Sequence, residues 1–191
     1  MKVCVFAASS SRINSEYVAA ASTLGYMLAD AGMEVIYGGG GIGLMGKLAD
    51  AVLEKGGRIT GVIPEFMRVE GWGHALVTDM IVTHDMGERK KTMFEKGDAV
   101  VALPGGMGTV EELTEAITLK QLGLFKGPII ILNTLNYYKS FIEFLQHMIS
   151  GHFMRMEHEG IWEIAATPGE VIEYLTNYDG WMEDPRKIAR I

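Results

Sequence analysis

The chain has 191 residues, 24 of them acidic and 17 basic, a formal net charge of -7 and a hydrophobic content of 48%. These values fit one folded domain rather than a disordered or multi-domain chain, and the acidic balance argues against a partner that would need clustered Lys and Arg to neutralise a phosphate backbone. One cysteine, Cys4, excludes an intrachain disulfide. The opening apolar run is too short for a secretory signal and no run approaches the roughly 20 residues that span a bilayer, so the expected setting is the cytoplasm, without membrane or nucleic-acid partners.

Along the chain, Val- and Ile-rich runs alternate with stretches of helical period. In order, the reading is strand 3–8, helix 15–30, strand 34–37, helix 44–54, strand 59–63, strand 79–83, helix 87–95, strand 99–103, helix 110–122, strand 128–132 and helix 138–149, closed by strand 161–165 and helix 169–175. Such alternation predicts an α/β protein with a mostly parallel central sheet and crossover helices, in a three-layer sandwich. Gly32, Gly56-Gly57 and Gly123 each follow a helix, as left-handed helix ends require. No linker or repeat interrupts residues 1–178, so one domain is expected there, with 179–191 an arm or tail of mixed charge.

The run Gly38-Gly39-Gly40-Gly41-Ile42-Gly43-Leu44-Met45-Gly46 follows a strand and opens a helix. Exposed N–H groups and the helix dipole at such a place can hold a phosphate, and glycine lets the anion approach. A nicotinamide site is one alternative, since Glu65 lies about 20 residues beyond Gly43, where a ribose-binding acid would stand; a turn used only for packing is another. Pro104-Gly105-Gly106-Met107-Gly108-Thr109 forms a second strand–loop–helix junction, and upstream Glu88-Arg89-Lys90-Lys91 begins a helix whose basic groups can reach the carboxyl ends of the strands. Taken alone, Thr109-Val110-Glu111-Glu112 reads as a capping box, with Thr109 as the N-cap and Glu112 reaching back to it. The five histidines show no compact ligand spacing, and no metal or cofactor is expected.

These motifs occur in one order with Ser9-Ser10, Val62-Ile63-Pro64, Met86-Gly87-Glu88-Arg89-Lys90, PGGMGTVEEL and Gln121-Leu122-Gly123, and over nearly its whole length the chain resembles the LONELY GUY (LOG) family. It has Ala7-Ala8 where that family commonly has Cys-Gly, and Gly87 where His or Gln is frequent. The resemblance implies a Rossmann-like fold, a homodimer and a phosphoribohydrolase that cuts the N-glycosidic bond of cytokinin or adenine nucleoside 5'-monophosphates, releasing free base and ribose 5-phosphate. It implies Arg89 and Glu112 as catalytic residues, and Ser10, Gly40, Gly43, Glu70, Met86, Lys90, Gly105, Gly106, Gly108 and Thr109 as substrate-binding ones. The alternative from another class is a nucleotide or cofactor carrier that keeps the glycine loops without hydrolysis. The family's other label, possible lysine decarboxylase, would call for a pyridoxal phosphate lysine, and none is identifiable.

Overall fold

The computed structural model describes residues 1–182 and 184–187; the remainder of the expected C-terminal arm lies outside the described residues. Seven strands, β1 (Lys2–Phe6), β2 (Glu34–Tyr37), β3 (Ile59–Pro64), β4 (Met80–Thr83), β5 (Ala99–Ala102), β6 (Ile129–Leu132) and β7 (Glu163–Ala165), form one sheet in the order β4-β3-β2-β1-β5-β6-β7. Every pairing between them is parallel. The helices are α1 (Ser15–Asp30), α2 (Gly43–Glu54), α3 (Glu65–Val69), α4 (Met86–Lys96), α5 (Met107–Gln121), α6 (Lys139–Ser150) and α7 (Pro168–Asn177).

The strands are apolar at consecutive positions because both faces of the sheet are covered. Val3 and Val5 point into a core shared with Leu24 and Leu28 of α1, Leu48 and Val52 of α2, and Val171 and Leu175 of α7. Cys4 and Phe6 point the other way, into a core with Met93 of α4, Leu113 and Ile117 of α5, and Leu145 of α6. The same alternation separates Val101 from Val100 and Ile130 from Ile131, so a one-residue slip of any central strand would exchange the two cores. The expected three-layer α/β architecture is therefore present.

The element boundaries follow from local chemistry. Asp85 caps α4 by accepting from Glu88 N at 2.8 Å, and Glu88 in turn accepts from His84 N at 2.7 Å. Thr167 caps α7 ahead of Pro168, whose fixed φ suits a first turn. Gly32, Gly56 and Gly123 all have positive φ just beyond α1, α2 and α5, as their positions in the sequence predict.

Two expectations need correction. Helix α5 begins at Met107 rather than Val110, with Gly106 in extended conformation as its N-cap. The capping box at Thr109 and Glu112 is consequently absent: Thr109 occupies the third helical position and packs its side chain against Gly105, and Glu112 lies beyond the first turn. Helix α3 and the strap after it, residues 70–79, were not anticipated, and residue 161 ends a 3-10 turn rather than starting a strand.

Candidate active site

Because the chain builds the sheet outward from β1 to β4 and then crosses to β5 beside β1, the connections leaving β1 and β5 diverge, and they open a crevice at the carboxyl ends of these strands, where ligands of such folds bind. A cavity of about 580 Å³ lies there. Its walls come from the end of β1, the first glycine loop, the strap after α3, and the starts of α4 and α5.

Arg89 and Glu112 meet at its base. Arg89 Nη1 donates to Glu112 Oε1 at 2.7 Å, and Arg89 Nε donates to the Val62 carbonyl at 3.0 Å. Both side chains are more than nine-tenths buried, at 7% and 8% exposure. The other guanidinium nitrogen lies against Gly38, where a Cβ would stand 2.1 Å from it, so only glycine leaves room for the arginine. Burial raises the pKa of Glu112, and the Arg89 charge and its hydrogen bond offset part of that rise.

Helix α5 opens toward the cavity without a side-chain cap. Its first helical hydrogen bond of this turn runs from Val110 N to Gly106 O at 3.1 Å, which leaves the preceding first-turn N–H groups at the positions where a helix has no intrahelical acceptor. Gly106 and Gly108 line the cavity, and each has open space where a Cβ would be. The loop before α5 is braced from behind: Tyr137 donates to Gly105 O and Tyr138 to Leu103 O, both at 2.6 Å.

The first glycine loop is arranged differently. Leu44 N and Met45 N, in the first turn of α2, already donate to the Ala8 carbonyl at 2.9 and 3.3 Å. Gly43 sits with φ of +69° where a Cβ would lie 2.6 Å from Ser10 O and 2.7 Å from Ala8 O. Much of this loop's glycine requirement is thus close backbone packing. Residues 39–41 also carry the strap: Gly41 N donates to Trp72 O at 3.0 Å, His74 N to Gly39 O at 2.9 Å, and Gly40 faces Gly73 in an antiparallel bridge.

Of the residues singled out in the sequence, the cavity wall brings together Gly40, Met86, Arg89, Gly106, Gly108, Thr109 and Glu112. Ser10, Gly43, Glu70, Lys90 and Gly105 are not on it. Ser9 lines the cavity in place of Ser10, and Glu70 is exposed at the end of α3. Lys90 is held between Glu111 at 2.6 Å and Glu115 at 2.8 Å, two carboxylates that raise its pKa and tie α4 to α5. Glu65, the acid of the nicotinamide alternative, is paired with Arg68 at 2.8 Å. Missed by the sequence reading were Trp72, Met67 and Ile42 on the wall and the two bracing tyrosines. A lone tryptophan between Gly71 and Gly73 was the available signal for the first of these. Among the described residues no group of three or more His, Cys, Asp or Glu could hold a metal ion, and no helix is long and apolar enough to cross a membrane.

A family model described as "Possible lysine decarboxylase" matches residues 45–175. The cytokinin riboside 5'-monophosphate phosphoribohydrolase of Rhodococcoides fascians is 40% identical over 146 residues, covering 76% of this chain and 74% of that protein. One of Arabidopsis thaliana is 37% identical over 177 residues, covering 93% and 82%. Among solved structures, a structural-genomics target aligns with a TM-score of 0.74 at 26% identity over 93% of this chain and 99% of that one. The molybdenum cofactor carrier protein of Chlamydomonas reinhardtii aligns with a TM-score of 0.71 at 21% identity over 92% and 95%, a likeness of fold alone. The chain belongs to the LONELY GUY family of cytokinin riboside 5'-monophosphate phosphoribohydrolases.

Proposed function

We propose that the protein hydrolyses the N-glycosidic bond of adenine or cytokinin nucleoside 5'-monophosphates, releasing the free base and ribose 5-phosphate. The observation that carries this reading is the buried Arg89–Glu112 pair beneath an uncapped helix start in the same cavity. A site that only stored a nucleotide would need the helix start, but not a desolvated carboxylate beside it.

The 5'-phosphate sits against the first turn of α5, where unsatisfied N–H groups and the helix dipole favour an anion. Anchoring there holds C1' at the buried pair, so binding energy gained at the phosphate orients the reacting centre. The C1'–N9 bond breaks with its electron pair leaving on the base, and the ribosyl group becomes cationic. Ionised Glu112 opposes that charge and positions the water whose oxygen adds to C1'. Arg89 donates toward the departing base, and the proton released from the water balances the base's negative charge. Lys90 acts at one remove, keeping α4 against α5 and so keeping Arg89 in register with Glu112.

The protein works on this reading as a cytoplasmic homodimer with a small nucleotide as its partner. The lone buried thiol and the net charge of -7 support the compartment and argue against nucleic acid; the homodimer rests on family membership. Incubation with AMP and with isopentenyladenosine monophosphate, followed by detection of free base, tests the activity. Absence of base release from both refutes it.

A further inference from the structure

Resting on the reading of the cavity as a nucleotide site, we infer that Trp72 is the residue that receives the base, and that it sets the preference for bases bearing an apolar substituent. The phosphate end and the reacting centre account for the α5 start, Arg89 and Glu112. What remains of the wall on the strap side is apolar: Ile42, Met67 and Trp72. Nothing in the hydrolytic chemistry uses them.

Trp72 is half-exposed, which is unusual for the largest apolar side chain unless something covers it. Its backbone is fixed on both sides. Trp72 N donates to Met67 O at 3.1 Å, closing the turn after α3, and Trp72 O accepts from Gly41 at 3.0 Å. Two residues on, His74 is buried and its Nδ1 accepts from Leu76 N at 3.2 Å, which leaves Nε2 to donate to Asp50 Oδ1 of α2 at 3.1 Å. Gly41 suits this close seat, since a Cβ there would stand a tight 3.1 Å from His74 Cα.

The indole also meets the Phe66 ring edge-on, with centroids 6.4 Å apart and planes at 78°. The strap thus presents a rigid aromatic surface held by backbone hydrogen bonds and a buried imidazole. A purine leaving C1' away from the phosphate reaches this end of the cavity, and stacking on a preset indole is favourable for any base. An N6 alkyl group adds apolar area against the half-exposed indole itself, with Ile42 and Met67 beside it.

The test uses the full-length protein and two readouts. Trp162 is core-buried and Trp181 packs against His158, so a base-dependent change in tryptophan emission comes from Trp72. AMP is expected to change the emission of the wild type, while ribose 5-phosphate, bound at the phosphate end, is not. Trp72→Phe, which keeps an aromatic face at that position but removes the indole, should lose that change. Trp72→Ala, whose strap hydrogen bonds are all main-chain, should fold, raise KM for AMP about tenfold or more, and lower the kcat/KM ratio of isopentenyladenosine monophosphate to AMP. An AMP-induced change persisting in Trp72→Phe, or an unchanged KM and ratio in Trp72→Ala, overturns the inference. If the wild type releases no base from either nucleotide, the hydrolytic reading fails instead, and the emission titration alone decides whether Trp72 contacts the base.

Discussion

Arg89 bridges Glu112 on α5 and the Val62 carbonyl on β3 with two hydrogen bonds of 2.7 and 3.0 Å, so a single buried guanidinium links the two sides of the cavity floor. This linkage separates two roles for Glu112. Since α5 starts at Met107, the acid caps nothing, and Glu112→Gln cannot act through the helix end. Gln still accepts from Arg89, and because burial outweighs the attraction of Arg89 in raising the Glu112 pKa, removing the charge should cost the fold little. Turnover should fall at least about a hundredfold. Arg89→Ala should show a similar kinetic loss, and the double variant should be little worse than either alone, because the pair acts as a unit. Base release from AMP alongside denaturant unfolding checks both. Near-normal turnover in Glu112→Gln would remove the catalytic assignment.

The pH profile carries a further test. Burial holds the Glu112 pKa above the ordinary glutamate value of about 4.3. Turnover that requires the ionised form therefore rises with pH through that elevated pKa, and the acid limb of kcat/KM lies above about 4.3. Stability moves the opposite way. The folded chain keeps a proton on Glu112 that the unfolded chain has released, so this contribution is complete below the unfolded pKa and is lost as pH rises through the folded one. A wild-type acid limb at or below the ordinary glutamate value would show that a different group is titrating.

The fold was legible in the sequence because strands buried on both faces announce themselves as unbroken apolar runs, and the glycines after α1, α2 and α5 end their helices as expected. At the candidate site, motif and cavity coincide at Gly40, Met86, Arg89, Gly106, Gly108, Thr109 and Glu112. Two kinds of information were not local. The loop ahead of α5 is held by Tyr137 and Tyr138 from more than thirty residues away, and in that setting Gly106 is the N-cap and Thr109 packs against Gly105 instead of forming the capping box. The strap has no periodicity, and its position over the first glycine loop is set by main-chain hydrogen bonds that leave no pattern in side-chain types. Lys90 looked like a ligand group beside Arg89, yet one residue along a helix points about 100° away, and there it meets Glu111 and Glu115.

Anion binding at α5 is tested by Gly108, which lies in the first turn with open space where a Cβ would stand. Gly108→Ala should fold and gain about 0.5–1 kcal/mol from helix propensity. Gly108 lines the cavity, so on the proposed placement of the phosphate an added methyl group crowds the anion and lengthens its hydrogen bonds to the first-turn N–H groups, and KM for AMP should rise about tenfold or more. Adenosine, which lacks the phosphate, should be turned over hardly at all by either form. Gly105→Ala is the contrast: its Cβ would stand 2.1 Å from Thr109 Oγ1 and 2.4 Å from Thr109 Cβ, so it should destabilise the fold itself. An unchanged KM for AMP in a well-folded Gly108→Ala would place the phosphate elsewhere.

Outside the cavity, Lys120 of α5 is 2% exposed, with Nζ 4.8 Å from the centre of the Tyr178 ring. Burial pushes its pKa down to about 8, and the Glu163 charge offsets only part of this. Between about 8 and the unfolded value of about 10.4 the unfolded chain binds more protons than the folded one, so stability rises with pH across that window. Below it both states are protonated, and the full cost of a buried ammonium is present at pH 7. That cost is on the order of 3 kcal/mol, against roughly 2 kcal/mol returned by a desolvated ring contact. Lys120→Met, similar in length and apolar, should therefore stabilise the protein at pH 7 by about 1–3 kcal/mol. It should also abolish the rise in stability that the wild type shows between pH 7 and 9.5, a range chosen to stay below ordinary tyrosine ionisation. Denaturant midpoints of both proteins at the two pH values provide the measurement. A wild type with no rise, combined with a less stable Lys120→Met, would mean that the amine is favourably bound where it lies and that its burial carries no such cost.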